Sequence, residues 1–282
     1  MFGKITELLY KSIHSKASLH SENDRAVKII VSMTTIPPRI HKIHQVVWRL
    51  LEQTVKPDKI ILYLGKEKFQ GIKLPYMLRL QIKLFGVEVR YVEDIGPHTK
   101  YFYAISEFRN DIILTTDDDI RYPADLIEEL YNSYKRHPNA VSARRCHLIN
   151  FDETGAIKKY NEWLYKYSQL IDTPSMLLFP TGVGGVLYPP NTLHPEVYNL
   201  ESIKKLTLKN DDVWLKFMEV LNGTPVVMTQ PFVIKHVKGS QKVALNQDNV
   251  RGQGNDIYIS NVIKAYDDFL GSEDTMIKRM KA

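Results

Sequence analysis

Three adjacent aspartates, Asp117, Asp118 and Asp119, follow the apolar run Ile112-Ile113-Leu114. Carboxylates this close repel and raise one another's pKa, and a divalent cation removes that cost. Hard oxygen donors select Mg2+ or Mn2+. Such a cation can neutralise and hold a diphosphate leaving group. Along an extended strand, residues i and i+2 share a side. The spacing therefore predicts that Asp117 and Asp119 converge on one point while Asp118 points away. The competing reading has Asp119 capping the next helix and the other two solvated.

Other residue types could do chemistry elsewhere. Asp211 and Asp212 open a helical segment, where Asp is a favoured N-cap and acids suit the first turn. One of the pair is expected to cap. The other, kept ionised near the positive helix end, could take a proton from a hydroxyl. His236 and Lys238 are two apart and would project to one side of a strand. His236 reads either as a satisfied strand-end histidine or as a metal ligand. Cys146 is the single cysteine, so no intrachain disulfide forms. Arg144, Arg145 and His147 beside it would lower its pKa, whereas burial would leave it inert. Gly182, Gly184 and Gly185 lack P-loop spacing and suit a tight turn. Tyr160, Trp163 and Tyr165 could stack on sugar rings or pack in the core.

Alternating elements must position these groups. KIIVSMT (28–34), KIILYLG (59–65), VEVRYVE (87–93), DIILTTDDDI (111–120) and AVSARRCHL (140–148) read as strands. Ile43, Val46, Val47, Leu50 and Leu51 repeat at helical spacing, residues 75–85 form a short helix, and a helix from Pro123 runs to about Arg136. Strand and helix in alternation predict an α/β fold: a mainly parallel central sheet with helices on both faces. Ligands then bind beyond the carboxyl ends of the strands, where Thr34-Thr35 and the aspartates fall. The second half is irregular. It carries a helix from Asp211, strand-like TPVVMT and PFVIKHV, a polar stretch from 239 to 256 and a last helix at 256–270. The division expected is 1–27, an amphipathic helix and linker; 28–240, the main domain, split at 150 into nucleotide and acceptor halves; and 241–282, a C-terminal loop and helix.

The 282 residues carry a net charge of +6, with the basic residues dispersed, so no nucleic-acid partner is implied. The basic, amphipathic N-terminus suits either a membrane surface or docking on its own domain or a partner subunit. It lacks a signal-peptide core, which sets the expectation of a cytoplasmic protein, peripheral at most to the inner face of the membrane, with a homo-oligomer left open.

The run ILTTDDDIRYP resembles the Asp-x-Asp motif of nucleotide-sugar glycosyltransferases with the GT-A fold, of the bacterial polysaccharide and oligosaccharide type. KIIVSMTTIPPRI, DIGPHTK, GVGGVLYPP and KNDDVWL resemble further segments of that fold in the same order, over about 28–240. The resemblance implies a single GT-A-like, Rossmann-related domain with an acceptor-side second half. It implies Thr34, Thr35 and Arg39 at the base and ribose, and Lys100 on the nucleotide. Asp117 falls on the nucleotide side and Asp118 in the variable middle position, within reach of ribose or donor sugar. Asp119 and His236 become the metal ligands, and Lys238 a diphosphate contact. Asp212, or else Asp211, is the implied base of an inverting transfer. The implied cofactors are Mn2+ or Mg2+, with histidine favouring Mn2+, and a nucleotide-sugar donor, expected to be a UDP-sugar. The partner is a saccharide or lipid-linked acceptor.

A retaining glycosyltransferase and a nucleotidyltransferase are the alternatives, although SMTTIPPR carries no Gly-rich Lys/Arg signature after the first strand. A non-enzymatic sugar or nucleotide binder would not need acids at three places. A dehydrogenase would need the G-x-G-x-x-G that is missing.

Overall fold

A computed structural model describes residue 19 and residues 25–240, 254–271 and 274–282. The amphipathic segment expected at the N-terminus and most of the polar stretch after 239 lie outside the described residues.

Seven strands form the central sheet, in spatial order β3-β2-β1-β4-β8-β5-β9. They are β1 (Ile29–Thr34), β2 (Lys59–Gly65), β3 (Glu88–Val92), β4 (Ile112–Thr115), β5 (Val141–Ala143), β8 (Val186–Tyr188) and β9 (Val226–Met228). All neighbours are parallel except β8, which runs antiparallel to β4 and β5. The expected mainly parallel α/β sheet is therefore present. β8 comes from the second half of the sequence yet lies between β4 and β5, so the two halves share one sheet. The remaining pair, β6 (Cys146–Leu148) and β7 (Leu178–Pro180), forms a small antiparallel sheet.

Alternation along β1 sorts its side chains between two layers. Ile29, Val31 and Met33 pack with α1 (Ile43–Leu51), α2 (Tyr76–Phe85) and α4 (Leu126–Arg136). Ile30 faces the other way, toward Ala104 of α3 (Phe102–Glu107). On that second face α5 (Asp211–Asn222), α6 (Gly254–Leu270) and α7 (Met276–Lys281) pack on β5, β8 and β9. Helices thus cover both faces. Among the described residues no helix is long and apolar enough to cross a membrane.

Several element boundaries differ from expectation. The strand expected over 140–148 breaks at Arg144, whose buried side chain turns back to Asp125 (2.7 Å) and the Gln230 carbonyl (2.8 Å). The chain then leaves the central sheet and enters β6. PFVIKHV is not a strand: beyond Gln230-Pro231 it makes one isolated bridge, His236 with Ile120. The helix expected from Pro123 begins at Leu126, after a turn closed by Leu126 N–H on the Pro123 carbonyl.

Candidate functional site

Parallel pairing sets Ser32 of β1 opposite Thr115 of β4, so both strands end together. β4 stops at Thr115, two residues short of the aspartates. The alternation expected for a continuing strand is therefore lost. Asp118 and Asp119 sit in a turn, and the buried Tyr122 hydroxyl accepts from Asp117 N–H at 2.8 Å. Asp118 does not point away. It is buried and takes hydrogen bonds from Thr35 Oγ1 (2.5 Å) and Arg39 Nη1 (2.6 Å), which bolts the turn to the Pro37–Arg39 turn. Asp119 Oδ2 faces Arg39 Nη2 at 3.5 Å and His236 Nδ1 at 3.6 Å. His236 is held there because the chain around it lies against the acidic turn: Val237 N–H donates to the Asp119 carbonyl at 2.7 Å. Burial raises the Asp119 pKa, and Asp117 raises it further. Asp118 is raised as well, by burial, against the pull of Arg39.

Asp117 turns to the other side and accepts from Lys100 Nζ at 2.9 Å. The same ammonium lies 2.8 Å from Asp211 Oδ2. Burial works against the Lys100 charge, but Asp117, Asp211 and Asp212 outweigh it and hold its pKa well above the usual lysine value. Neither Asp211 nor Asp212 caps α5, contrary to expectation. Asn210 is the cap, its side chain accepting from Val213 N–H at 3.0 Å. Both aspartates are thereby released into the site. Asp212 Oδ1 accepts from Gly182 N–H at 3.0 Å. Its pKa does not stay low at the helix end: burial and then Asp211 push it up to about 7. Glycine at 182 is what lets these charges close up. A Cβ there would lie 2.8 Å from Lys100 Nζ and 3.0 Å from Asp212 Oδ1.

His98 ties the Lys100 turn to the approach to α5. Its Nε2 lies 2.7 Å from the Thr207 carbonyl, so Nε2 carries the proton and Nδ1 accepts from the Tyr101 hydroxyl at 2.9 Å. Burial lowers the His98 pKa, which keeps this neutral tautomer.

Among the described residues, Arg39 pairs with Asp118 and Asp119, Lys100 pairs with Asp117 and Asp211, and Asp212 lies beside them on Gly182 N–H. Among the described residues no three His, Cys, Asp or Glu side chains converge as a metal cage. Asp119 and His236 offer two donors, one oxygen and one nitrogen. They fit a cation that completes its coordination with ligand oxygens and water, not a closed structural site.

Thr34 Oγ1 donates to the Tyr63 carbonyl at 2.9 Å, inside the β1–β2 pair. Lys238 is exposed, and its carbonyl accepts from Lys42 Nζ at 2.8 Å. Cys146 is fully buried, and burial raises its pKa despite Arg145, so the thiol is not activated. Tyr122, Asn210 and His98 were not singled out in the sequence. Asn210, immediately before the acidic pair and three residues ahead of Val213, carried a readable N-cap signal. Tyr122 and His98 act through distant contacts that no local spacing reveals.

No protein-family model matches the chain, and no curated protein does. Solved structures do. A mannosyltransferase from Pyrobaculum calidifontis, in complex with GDP-Man and Mn2+, is 12% identical over 97% of this chain and 75% of its own, with a TM-score of 0.53. The fold is GT-A-like. At this identity the likeness speaks for architecture alone. A 4-diphosphocytidyl-2C-methyl-D-erythritol synthase is 13% identical over 85% of this chain and 99% of its own, at a TM-score of 0.44. TarS from S. aureus is 11% identical over 74% of this chain and 59% of its own, at 0.46.

Proposed function

We propose that this chain is a metal-dependent glycosyltransferase, moving a sugar from a nucleotide-sugar donor, a UDP-sugar, to a hydroxyl of a saccharide or lipid-linked acceptor with inversion. The observation that carries the reading is the Lys100 bridge. One buried ammonium joins Asp117, at the nucleotide end of β4, to Asp211, at the start of α5. A nucleotide-side acid and a candidate base pair are thus held in one cluster.

Asp212 accepts the proton of the acceptor hydroxyl. The hydroxyl oxygen forms the new bond to the anomeric carbon, and the nucleoside diphosphate departs with the electrons of the old one. A carboxylate with a pKa near 7 suits this task, because it is available near neutral pH yet basic enough to share the proton. Lys100 and Arg39 keep the acidic turn in register, and Asp119 with His236 would hold Mn2+ or Mg2+. A bound divalent cation supplies charge neutralisation of the departing diphosphate.

Calorimetric titration of UDP with and without Mn2+ tests the site. The expected result is binding that requires the cation, and equal binding in chelator overturns the metal role. Product analysis with UDP-sugars tests the chemistry. Release of UDP is expected, whereas pyrophosphate release from UTP and a sugar 1-phosphate would assign nucleotidyl transfer instead.

A further inference from the structure

Arg145 differs from its neighbour in one respect. Arg144 is paired with Asp125, at 2.7 Å. Among the described residues Arg145 pairs with no carboxylate. Its Nη1 donates to Thr181 Oγ1 at 2.6 Å, and its own carbonyl accepts from Thr181 N–H at 3.0 Å. Gly184 admits this packing: a Cβ there would lie 2.7 Å from Arg145 Cβ. The guanidinium is thus fixed, half-buried and unneutralised, beneath the turn whose Gly182 N–H holds Asp212.

An aromatic face adjoins it. The segment around Leu164 pairs with β6 through Leu148. This brings Tyr165 against His147, with ring centroids 4.3 Å apart, and against Tyr160, at 5.7 Å. Tyr165 remains 41% exposed, although three other rings surround Tyr160 in the core. Lys166 has φ of 51°, a left-handed conformation that is costly for a residue with a side chain. It is retained by Lys166 N–H donating to His147 Nδ1 at 3.0 Å. Arg145 lowers the His147 pKa, after burial, to about 3, and it opposes the rise that burial imposes on Tyr160 and Tyr165. Asp212 acts on Tyr160 too. Thr181 holds the Arg145 guanidinium, the next residue Gly182 holds Asp212, and Tyr165 packs on His147 two residues after Arg145, so guanidinium, aromatic face and candidate base are neighbours.

We infer that this corner is the acceptor subsite and that it selects an anionic saccharide, with a sugar ring on Tyr165 and a carboxylate or phosphate ester on Arg145. A flat apolar ring face suits the partly apolar face of a pyranose. A fixed guanidinium without an acid of its own suits a planar or tetrahedral oxyanion, to which it can donate two parallel hydrogen bonds. Asp212, on the adjoining turn, would repel such an acceptor if Arg145 did not offset it. The inference rests on the glycosyl-transfer reading of the site.

Titration of the full chain, loaded with UDP and Mn2+, provides the test. The probes are methyl β-D-glucuronide for the carboxylate, glucose 6-phosphate for the phosphate, and methyl β-D-glucoside as the neutral control. At least one anionic probe is expected to bind about tenfold more tightly than the neutral sugar, in keeping with a charge-assisted hydrogen bond. The stronger of the two names the anion. Arg145→Gln should erase the preference without moving UDP affinity, Arg145→Lys should keep part of it, and Tyr165→Ala should weaken all sugars alike. Equal affinity for charged and neutral sugars with UDP binding intact overturns the inference and leaves the proposed function standing. That wild-type comparison does not depend on any variant folding. Weaker UDP binding in Arg145→Gln, with sugar preference unchanged, would assign the guanidinium to the donor and also overturn it. Loss of cation-dependent UDP binding in the wild type would remove the functional reading itself.

Discussion

Lys100 Nζ stands 2.8 Å from Asp211 Oδ2, and both side chains are buried. The pair joins the turn before α3 to the start of α5, and its other contact, Asp117, adds the end of β4. Removing one partner of a buried ion pair leaves the other charge without compensation. Lys100→Met should therefore strand Asp117, Asp211 and Asp212 together, with a loss of about 3–5 kcal/mol of stability. Urea unfolding at neutral pH measures this. Because protonation of the stranded acids relieves the defect, the loss should shrink at pH 4 to 5.

Gly182→Ala separates geometry from stability. The new methyl would meet side-chain ends, Lys100 Nζ and Asp212 Oδ1, rather than backbone. Those ends can swing away, so the fold should lose no more than about 1–2 kcal/mol. The charge cluster cannot re-form around the methyl, however, and transfer should fall by about a hundredfold or more, as expected for a misplacement near 1 Å. A thermal melt and a UDP-release assay on the same sample check the two halves. A variant with full activity would show that the close approach at Gly182 is incidental.

The sheet was legible in the sequence because its strands are buried on both faces and read as apolar runs, IIVSMT and KIILYLG among them. The helices on its faces were legible from periodicity, as in Ile43 to Leu51. The acidic run could be placed at a strand end, but its internal geometry could not, since period two fails once β4 stops at Thr115. Asp118 therefore turns in to Thr35 and Arg39. In the second half, short strands and turns leave little periodicity to read. β8 is three residues long, and its place between β4 and β5 is a non-local pairing. Asp211 and Asp212 were found as acids at a helix start, yet their freedom to act depends on Asn210 taking the cap.

Asp119 and His236 should separate in a metal titration. Asp119 Oδ2 faces the imidazole at 3.6 Å, and its pKa is raised by burial and then by Asp117. Asp119→Ala should abolish cation-dependent UDP binding. His236→Ala should leave one donor and raise the Mn2+ concentration needed for half-maximal UDP binding by about tenfold, the scale of losing a supporting ligand interaction. Calorimetry at several Mn2+ concentrations distinguishes the two. Identical behaviour of His236→Ala and the wild type would return this histidine to a purely structural role beside Ile120.

Asp212 gives a pH signature in both rate and stability. As the base it must be ionised, so transfer should decline as pH falls through about 7, the value to which burial and Asp211 raise it. Asp212→Asn should remove turnover while leaving UDP binding intact, and the same change at Asp211 should weaken the Lys100 bridge instead. Stability runs the opposite way with pH. The folded chain keeps the Asp212 proton up to about 7, whereas an unfolded aspartate releases it near 4. Between those values the folded state binds more protons, so its stability is fullest below the window and falls as pH rises through it. Asn keeps an oxygen for Gly182 N–H and carries no charge. Asp212→Asn should thus stabilise the fold at pH 8 by on the order of 1 kcal/mol, a rise of roughly 2–4 °C in Tm for a chain of this size. Melting curves at pH 5 and pH 8 read this directly: the variant's advantage should be present at pH 8 and absent at pH 5. An equal advantage at both values would locate the strain elsewhere than in the Asp212 charge.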